Sequence, residues 1–436
     1  MTVYSNLEPD TKYDRIVLSN AVYYSEKHSF CEADIVISRN RIEKILPPNS
    51  LKSDDCIDAQ NLVIFPGLIN AHLHPSKEIY GGMEAFCSIS DVLDKVHKNN
   101  HLETPKLQSL ASLYSILNSI RQGVTTIGMF TSRAEVDAEQ AKEAGVRAVV
   151  HFSQNDHWIG KESNPEESSL EKILQRYIDC SEKYESELIQ IHPATASELT
   201  ATPELMQELH KIAKEQNKKF VMHICEGNSQ VEQCLDHYGE TGIELLNRLG
   251  LLDSSTLLVH AAKLSERDIE ILLERQLNFI HCPVSNSFTG AGRFPFKKLL
   301  HNNIGLGTDA AMVNLFNSMS YEAAFALYFH GESSLEEKVR VTNIIDSLTK
   351  ESALALGIED LGTIEEGMLA DLCFFDRKSI FIDSQEPPLL FLNTILKKEP
   401  VHVMINGKFN MFNRNISKHD FSQIEKEFIM NKRLER

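Results

Sequence analysis

Apolar positions along this chain gather into short runs, separated by longer stretches of mixed polarity. From residue 62 the runs read LVIFPGLINAHLH, TTIGMF (125–130), RAVVHF (147–152), LIQIHP (188–193), KFVMHICE (219–226), TLLVHAA (256–262), NFIHCP (278–283) and IGLGTDA (304–310). Short apolar runs rich in β-branched residues predict buried strands. The stretches between them carry helix marks. Leu107, Leu110, Tyr114 and Leu117 fall on one helical face. SRAEVDAEQAKEAG opens on a capping Ser132 with Glu135 three positions on, and closes on Gly145. SERDIEILLERQ repeats that opening with Ser265 and Asp268.

Eight strand–helix units over about 290 residues predict an α/β fold, a (β/α)₈ barrel of the TIM type across residues 62–361. A doubly wound open sheet is the rival, and the count of eight favours the barrel. The ends read differently. RIVLSNAVYY, DIVISRNRIEKIL, ADLCFFD and VHVMINGK are short alternating pieces, which predict strands. Because they flank the barrel in sequence, residues 1–61 and 362–436 are expected to pair into one small composite β-sandwich domain.

In such a barrel the strand C-termini converge on one face, where chemistry sits. The predicted ends carry His72 with His74, His192, His223, His260, His281 and Asp309. A lone His-x-His reads as well as two hydrogen-bonded surface histidines. Six of eight strands ending in His or Asp do not read as satisfied core residues, since burying such groups is costly unless they are paired or metal-bound. Alternation along a strand puts His72 and His74 on one side. The expected ligands are His72, His74, His223 and Asp309, which suit one divalent ion, Zn²⁺ first, with Fe²⁺ and Mn²⁺ as alternatives. Water bound to zinc has its pKa lowered to roughly 7, giving hydroxide at neutral pH. Glu226 lies just past His223, where it can take that water's proton and deliver it elsewhere. His260 can hold the hydroxide or polarise the electrophile.

The formal net charge is −18, which argues against nucleic acid or an anionic membrane as partner. A cationic small molecule is weakly favoured. MTVYSNLEPDTKYDR has no apolar core of a secretion signal, and no run approaches the ~18 residues that span a bilayer. Eight cysteines are scattered without a CxxC pair, which reads as reduced thiols in the cytoplasm. Asn415-Ile416-Ser417 fits a glycosylation sequon at a length expected by chance. Gly305 to Ala310 superficially fits GxGxxA, but Asp309 inside the turn would repel a pyrophosphate. Zinc nucleobase deaminases of the H-x-E type carry P-C-x-x-C, which is missing here.

These residues together resemble the amidohydrolase superfamily. PGLINAHLH is similar to its PG-[LF]-[IV]-[DN]-x-H-x-H signature. HICE, LLVHAAKLSERDIEILLERQLNFIHCPVSN, IGLGTDA and SALALGIEDLGTIEEGMLADLCFFD follow in family order. They resemble the branch holding chlorotriazine hydrolases, guanine deaminases and S-adenosylhomocysteine/methylthioadenosine deaminases, over about residues 10–410. The resemblance implies a barrel with a composite β-sandwich and one metal held by His72, His74, His223 and Asp309. It implies Glu226 as proton shuttle, His260 in contact with substrate and hydroxide, and Asp309 as a further proton acceptor. His192 sits near a substrate-contacting histidine of the deaminases. Dimers are common among such barrels, so a homodimer is also implied.

The chain departs from the branch in HPSKEIYGGMEAF after the paired histidines, in SNSFTGAGRFP and in AAMVNLFNSM after Asp309. Candidates for the substrate pocket are Glu78, Tyr80, Trp158, His192, Phe288 and Arg293. Trp158 is the sole tryptophan and could stack on a planar ring. The expected function is a metal-dependent hydrolase, foremost a hydrolytic deaminase of an aromatic N-heterocycle such as a purine, pterin or nucleoside-like compound. Hydrolysis of a cyclic amide, an amidine or a carbon–halogen bond on the same site is the alternative. A catalytically silent metal-binding homologue is the reading from another class. Binuclear relatives need a bridging lysine on the fourth strand, and LIQIHP has none.

Overall fold

The computed structural model describes residues 13–51, 56–83, 87–159, 169–331, 339–380 and 386–434. Among the described residues, seventeen strands form two sheets. The first sheet contains β1 (Arg15–Tyr24), β2 (Phe30–Ser38), β3 (Arg41–Leu46), β4 (Cys56–Asp58) and β5 (Leu62–Pro66) from one end of the chain. The barrel strands follow: β6 (Leu68–Leu73), β7 (Val124–Thr131), β8 (Arg147–Ser153), β9 (Ile189–Ser197), β10 (Phe220–Ile224), β11 (Thr256–His260), β12 (Asn278–His281) and β13 (Asn303–Leu306). The last four, β14 (Leu372–Asp376), β15 (His402–Ile405), β16 (Lys408–Phe412) and β17 (Asn415–Ile416), return to the first sheet.

Each predicted run from 62 onward holds one barrel strand, and all neighbouring pairs are parallel. The barrel closes between its first and last strands. Asp309 donates its backbone N–H to the His72 carbonyl at 2.9 Å, and Asn70 donates to the Thr308 hydroxyl at 2.7 Å. Ile69, Ala71, Val149, Val221, Leu257 and Ile280 fill the interior, with Ala353 and Leu356 in the same cluster. Outside, Leu113, Ile116, Leu117 and Ile120 of the helix Pro105–Arg121 pack onto strands such as β7. The Ser265–Asp268 capping box forms as its sequence suggests. Ser132 makes no cap: the helix Ala134–Ala144 begins after Arg133, without a side-chain cap.

The run LVIFPGLINAHLH, expected as one strand, is divided. β5 pairs with β1 and β14 in the first sheet, and β6 opens the barrel one residue later. Gly67 makes the crossing, and a Cβ there would lie 2.1 Å from the Thr125 hydroxyl oxygen. Strands from both ends of the chain therefore share one mixed sheet. Ile42 on β3 and Phe409 on β16, near opposite edges, lie in one apolar cluster, so the sheet folds over its own core, and a register shift between Leu18 and Ala21 bends β1. A buried ion pair from Arg147 to Asp371, 2.9 Å, ties β8 to the loop before β14. The final helix, Phe421–Leu434, lies against the barrel: Tyr114 stacks with Phe421 and Phe428 at 5.6 and 5.3 Å. No helix among the described residues is long and apolar enough to cross a membrane.

Candidate metal centre and its pocket

His72 faces the barrel interior because β6 is irregular. Ile69 and Ala71 already point inward, and a register shift between Asn70 and Leu73 re-aims the next side chain to the same side. His74 follows the strand and begins the short helix Pro75–Tyr80. His223 lies near the end of β10, and His260 ends β11. Asp309 stands three residues beyond β13. Backbone strain marks these turns. Cys225, His260 and Asp309 hold φ of 49°, 72° and 63°, left-handed values that cost a non-glycine residue on the order of 1 kcal/mol or more.

The side chains meet. His72 Nε2 is 3.3 Å from His223 Nε2 and 3.5 Å from Asp309 Oδ1, and His74 Nε2 is 3.3 Å from the same oxygen. His260 Nε2 lies 3.5 Å from Glu226 Oε1 and 4.0 Å from Asp309 Oδ2. Each of the triads His72–His223–His260, His72–His74–Asp309 and Glu226–His260–Asp309 has its ligand atoms within 4.8 Å of one another.

The hydrogen bonds behind the rings decide what these atoms offer. His223 Nδ1 donates to the Ala196 carbonyl at 2.6 Å, and His260 Nδ1 faces the Asn286 side-chain oxygen at 2.8 Å. Each ring therefore turns a bare Nε2 toward the centre. Burial lowers the pKa of His72 to about 4 and holds those of His223 and His260 below the ordinary value, so the rings stay neutral. Burial pushes Asp309 up, but bonds with His72 and His74 outweigh it and keep the carboxyl well below the usual range. Ser285 and the Ala310 N–H donate to its two oxygens at 2.6 and 2.7 Å. Lone pairs converging beside a carboxylate repel one another unless a cation lies among them. Three imidazole nitrogens and one carboxylate oxygen fit a divalent ion of the zinc type.

Glu226 faces this centre from the loop after β10. Burial, with the nearby Asp309 charge second, raises its pKa well above the ordinary value. Its backbone N–H donates to Gln230, and Gln230 donates in turn to the buried Glu198 at 2.8 Å. A cavity of about 530 Å³ opens over the group, lined by His74, His223, Glu226, His260 and Asp309 among others, a size ordinary for a small-molecule site. The helix Ile89–Lys98 forms part of its wall through Ile89, Val92, Leu93 and Val96. A larger open groove, about 650 Å³, runs near Arg121 and Lys418 and contains none of these ligands.

Of the six residues expected to shape the substrate pocket, only Trp158 lines it, 5.4 Å from the ring of His97. His192 does not reach it. β9 continues to Ser197, so His192 lies mid-strand and buried, paired with Gln190 at 3.1 Å, while Ala196 and Ser197 take the mouth. Tyr80 is turned away onto Glu103. Glu78 is buried on Ser115 and Asn317. Phe288 packs in the apolar cluster around Tyr80. Arg293 is exposed, with its guanidinium over Phe329 at 5.2 Å. Sequence reasoning missed Phe130, whose ring is 4.2 Å from that of His223, and the supports Ser285 and Asn286. Both stand in the motif HCPVSN, residues 281–286, where the sequence carries their signal.

Comparison with known proteins places the fold and family. The amidohydrolase family matches residues 63–409, and the chain belongs to it. It is a hydrolase of carbon–nitrogen bonds other than peptide bonds. The 5-methylthioadenosine/S-adenosylhomocysteine deaminase of Thermococcus sibiricus is 28% identical over 406 residues, covering 91% of this chain and 90% of that protein. Atrazine chlorohydrolase TrzN from Arthrobacter aurescens TC1, solved with zinc, has a TM-score of 0.86 at 19% identity, covering 96% of this chain and all of that one. An adenosine deaminase from Xanthomonas campestris with bound zinc has a TM-score of 0.82 at 21% identity, covering 97% and 98%. Both solved structures share this fold.

Proposed function

We propose that the chain catalyses hydrolytic deamination of a nucleoside-like aromatic N-heterocycle, using one zinc ion held by His72, His74, His223 and Asp309. The observation that carries this reading is Glu226: a buried carboxyl beside the ligand cluster, open to the pocket, with its pKa raised by burial. Attack on an amidine-like ring carbon requires protonation of the neighbouring ring nitrogen, and a mobile acid at this position can supply it. The deaminase relative supports the same reaction class.

A bound divalent ion supplies Lewis acidity, lowering the pKa of a water it holds to roughly 7. The chain's own residues do the rest. Glu226 donates its proton to the ring nitrogen beside the amine-bearing carbon, which makes that carbon more electrophilic. Asp309 accepts the proton that the attacking water gives up. His260 hydrogen-bonds to the attacking oxygen through Nε2. Protons returned to the amine let it leave as ammonia. Trp158 and the apolar wall of the helix Ile89–Lys98 stack on and cover the planar base.

The test is ammonia release by zinc-loaded protein over methylthioadenosine, S-adenosylhomocysteine, adenosine, guanine and aminotriazines. Turnover of an adenine nucleoside is the expected result. Absence of ammonia across the panel, or halide release from a chlorotriazine in its place, would overturn the reading.

A further inference from the structure

We infer that His281 and His330 are positioning residues which, acting through Asn286, set where the His260 ring carries its proton. The four side chains form one buried line leading away from the site. His260 Nδ1 is 2.8 Å from Asn286 Oδ1, Asn286 Nδ2 is 3.4 Å from His281 Nδ1, and His281 Nε2 is 2.9 Å from His330 Nε2. Residues 260, 281, 286 and 330 are all buried. His281 ends β12, Asn286 lies in the helix Pro283–Phe288 that follows, and His330 caps the helix Met319–Phe329.

The contacts constrain one another. A nitrogen–nitrogen hydrogen bond between neutral imidazoles holds one proton, and an amide offers one accepting and one donating end. If Asn286 accepts from His260, it must donate to His281 Nδ1. The His281 proton then sits on Nε2 and is donated to His330. Reversing any member reverses every other, because each mismatch leaves two donors or two acceptors face to face in a buried place. In the outward sense His260 presents a bare Nε2 to Glu226 and Asp309. In the reverse sense it would present an N–H there. The rings cannot swing freely: His281 stacks on Phe294 at 5.1 Å, and His330 lies 5.3 Å from Phe296. Burial also keeps the two outer histidines neutral, lowering His330 to about 4, so a second proton does not disturb the pattern. Neither outer histidine touches the pocket.

The inference rests on the reading that His260 works at the reacting atoms, and the experiment separates the two. Ring nitrogen NMR of zinc-loaded wild-type protein, labelled with ¹⁵N-histidine, reads the tautomers directly. Protons on His260 Nδ1 and His281 Nε2 are the expected result, and the opposite tautomers overturn the relay whatever the activity. In His330→Leu, kcat should fall about tenfold with KM and zinc content unchanged, because the outward sense loses its final acceptor. His260 should then give signals of both tautomers. His330→Gln, whose side-chain oxygen can accept from His281, should recover most of the rate. A leucine variant with normal kcat, or a glutamine variant no better than leucine, overturns the proposal. Should the leucine variant fail to fold, the wild-type spectrum still decides. Wild-type protein with the expected tautomers but no deaminase activity would support the relay and sink the reading it rests on.

Discussion

The backbone N–H of Asp309 donates to the His72 carbonyl at 2.9 Å while their side chains approach to 3.5 Å. The bond that helps close the barrel and a contact within the candidate metal centre thus belong to the same two residues. Each of the two depends on the other, since β6 and the segment after β13 must meet before either exists.

Gly307→Ala tests that dependence. A Cβ at 307 would lie 2.6 Å from the His72 Cβ and 2.8 Å from its backbone nitrogen. Backbone cannot yield as a flexible side chain does, so the variant should lose about 1–3 kcal/mol of stability. Zinc affinity should fall with it, which denaturant unfolding and chelator competition would record together.

His74→Ala removes one proposed ligand, beside Asp309. After dialysis the protein should retain little zinc by elemental mass spectrometry, while circular dichroism stays that of the folded chain. Full metal content would show that His74 is no ligand.

Glu226→Gln keeps size and shape but removes the transferable proton. The expected loss in kcat is about 10²–10⁴-fold, with zinc content and KM close to wild type. Retained turnover would send the search for the acid elsewhere in the pocket.

His192→Leu should leave KM unchanged. The ring is buried within the barrel and paired with Gln190, away from the cavity. Its effect should appear in the melting temperature instead, and a raised KM with normal stability would contradict this placement.

Glu78 should contribute a loss of stability as pH rises through the mildly acidic range, opposite in sign to the buried histidines, whose lowered pKa values favour folding as pH rises. Burial raises its pKa from 4.5 to about 7. Between those values the folded protein keeps a proton that the unfolded chain gives up. Folding is therefore penalised progressively with rising pH, by on the order of 3 kcal/mol once pH passes 7. Glu198 and Glu322, both raised to about 8 chiefly by burial, carry the slope further. Glu78→Gln should raise the denaturation midpoint at pH 8 relative to that at pH 5, compared with wild type. An unchanged slope would rule Glu78 out as a contributor.

The barrel was legible because eight apolar runs report burial, and burial on both faces is what parallel strands require. The cluster of His72, His74, His223 and Asp309 was legible for a related reason: His and Asp at the ends of such runs conflict with their surroundings, and the conflict marks the residues that the fold brings together. The pocket wall was not legible. Glu78, Tyr80 and Arg293 lie in turns whose path no periodicity records, and each spends its polar group on a local partner. His192 misled because the strand continues through small residues, Ala194 and Ala196, which carry no strong apolar signal. Phe130 was hidden inside the run TTIGMF, where a core phenylalanine and one touching a ligand look alike.

One residue, Gly67, separates the strand that joins the two chain ends from the strand that carries His72. Protein synthesis proceeds from the amino terminus, so β5 emerges long before β14, its neighbour at residues 372–376, has been made. Throughout that interval the nascent chain exposes a hydrophobic ribbon attached to an incomplete catalytic frame. Chaperone demand during translation should therefore concentrate on this segment, and fragments ending short of β14 should be the ones that precipitate.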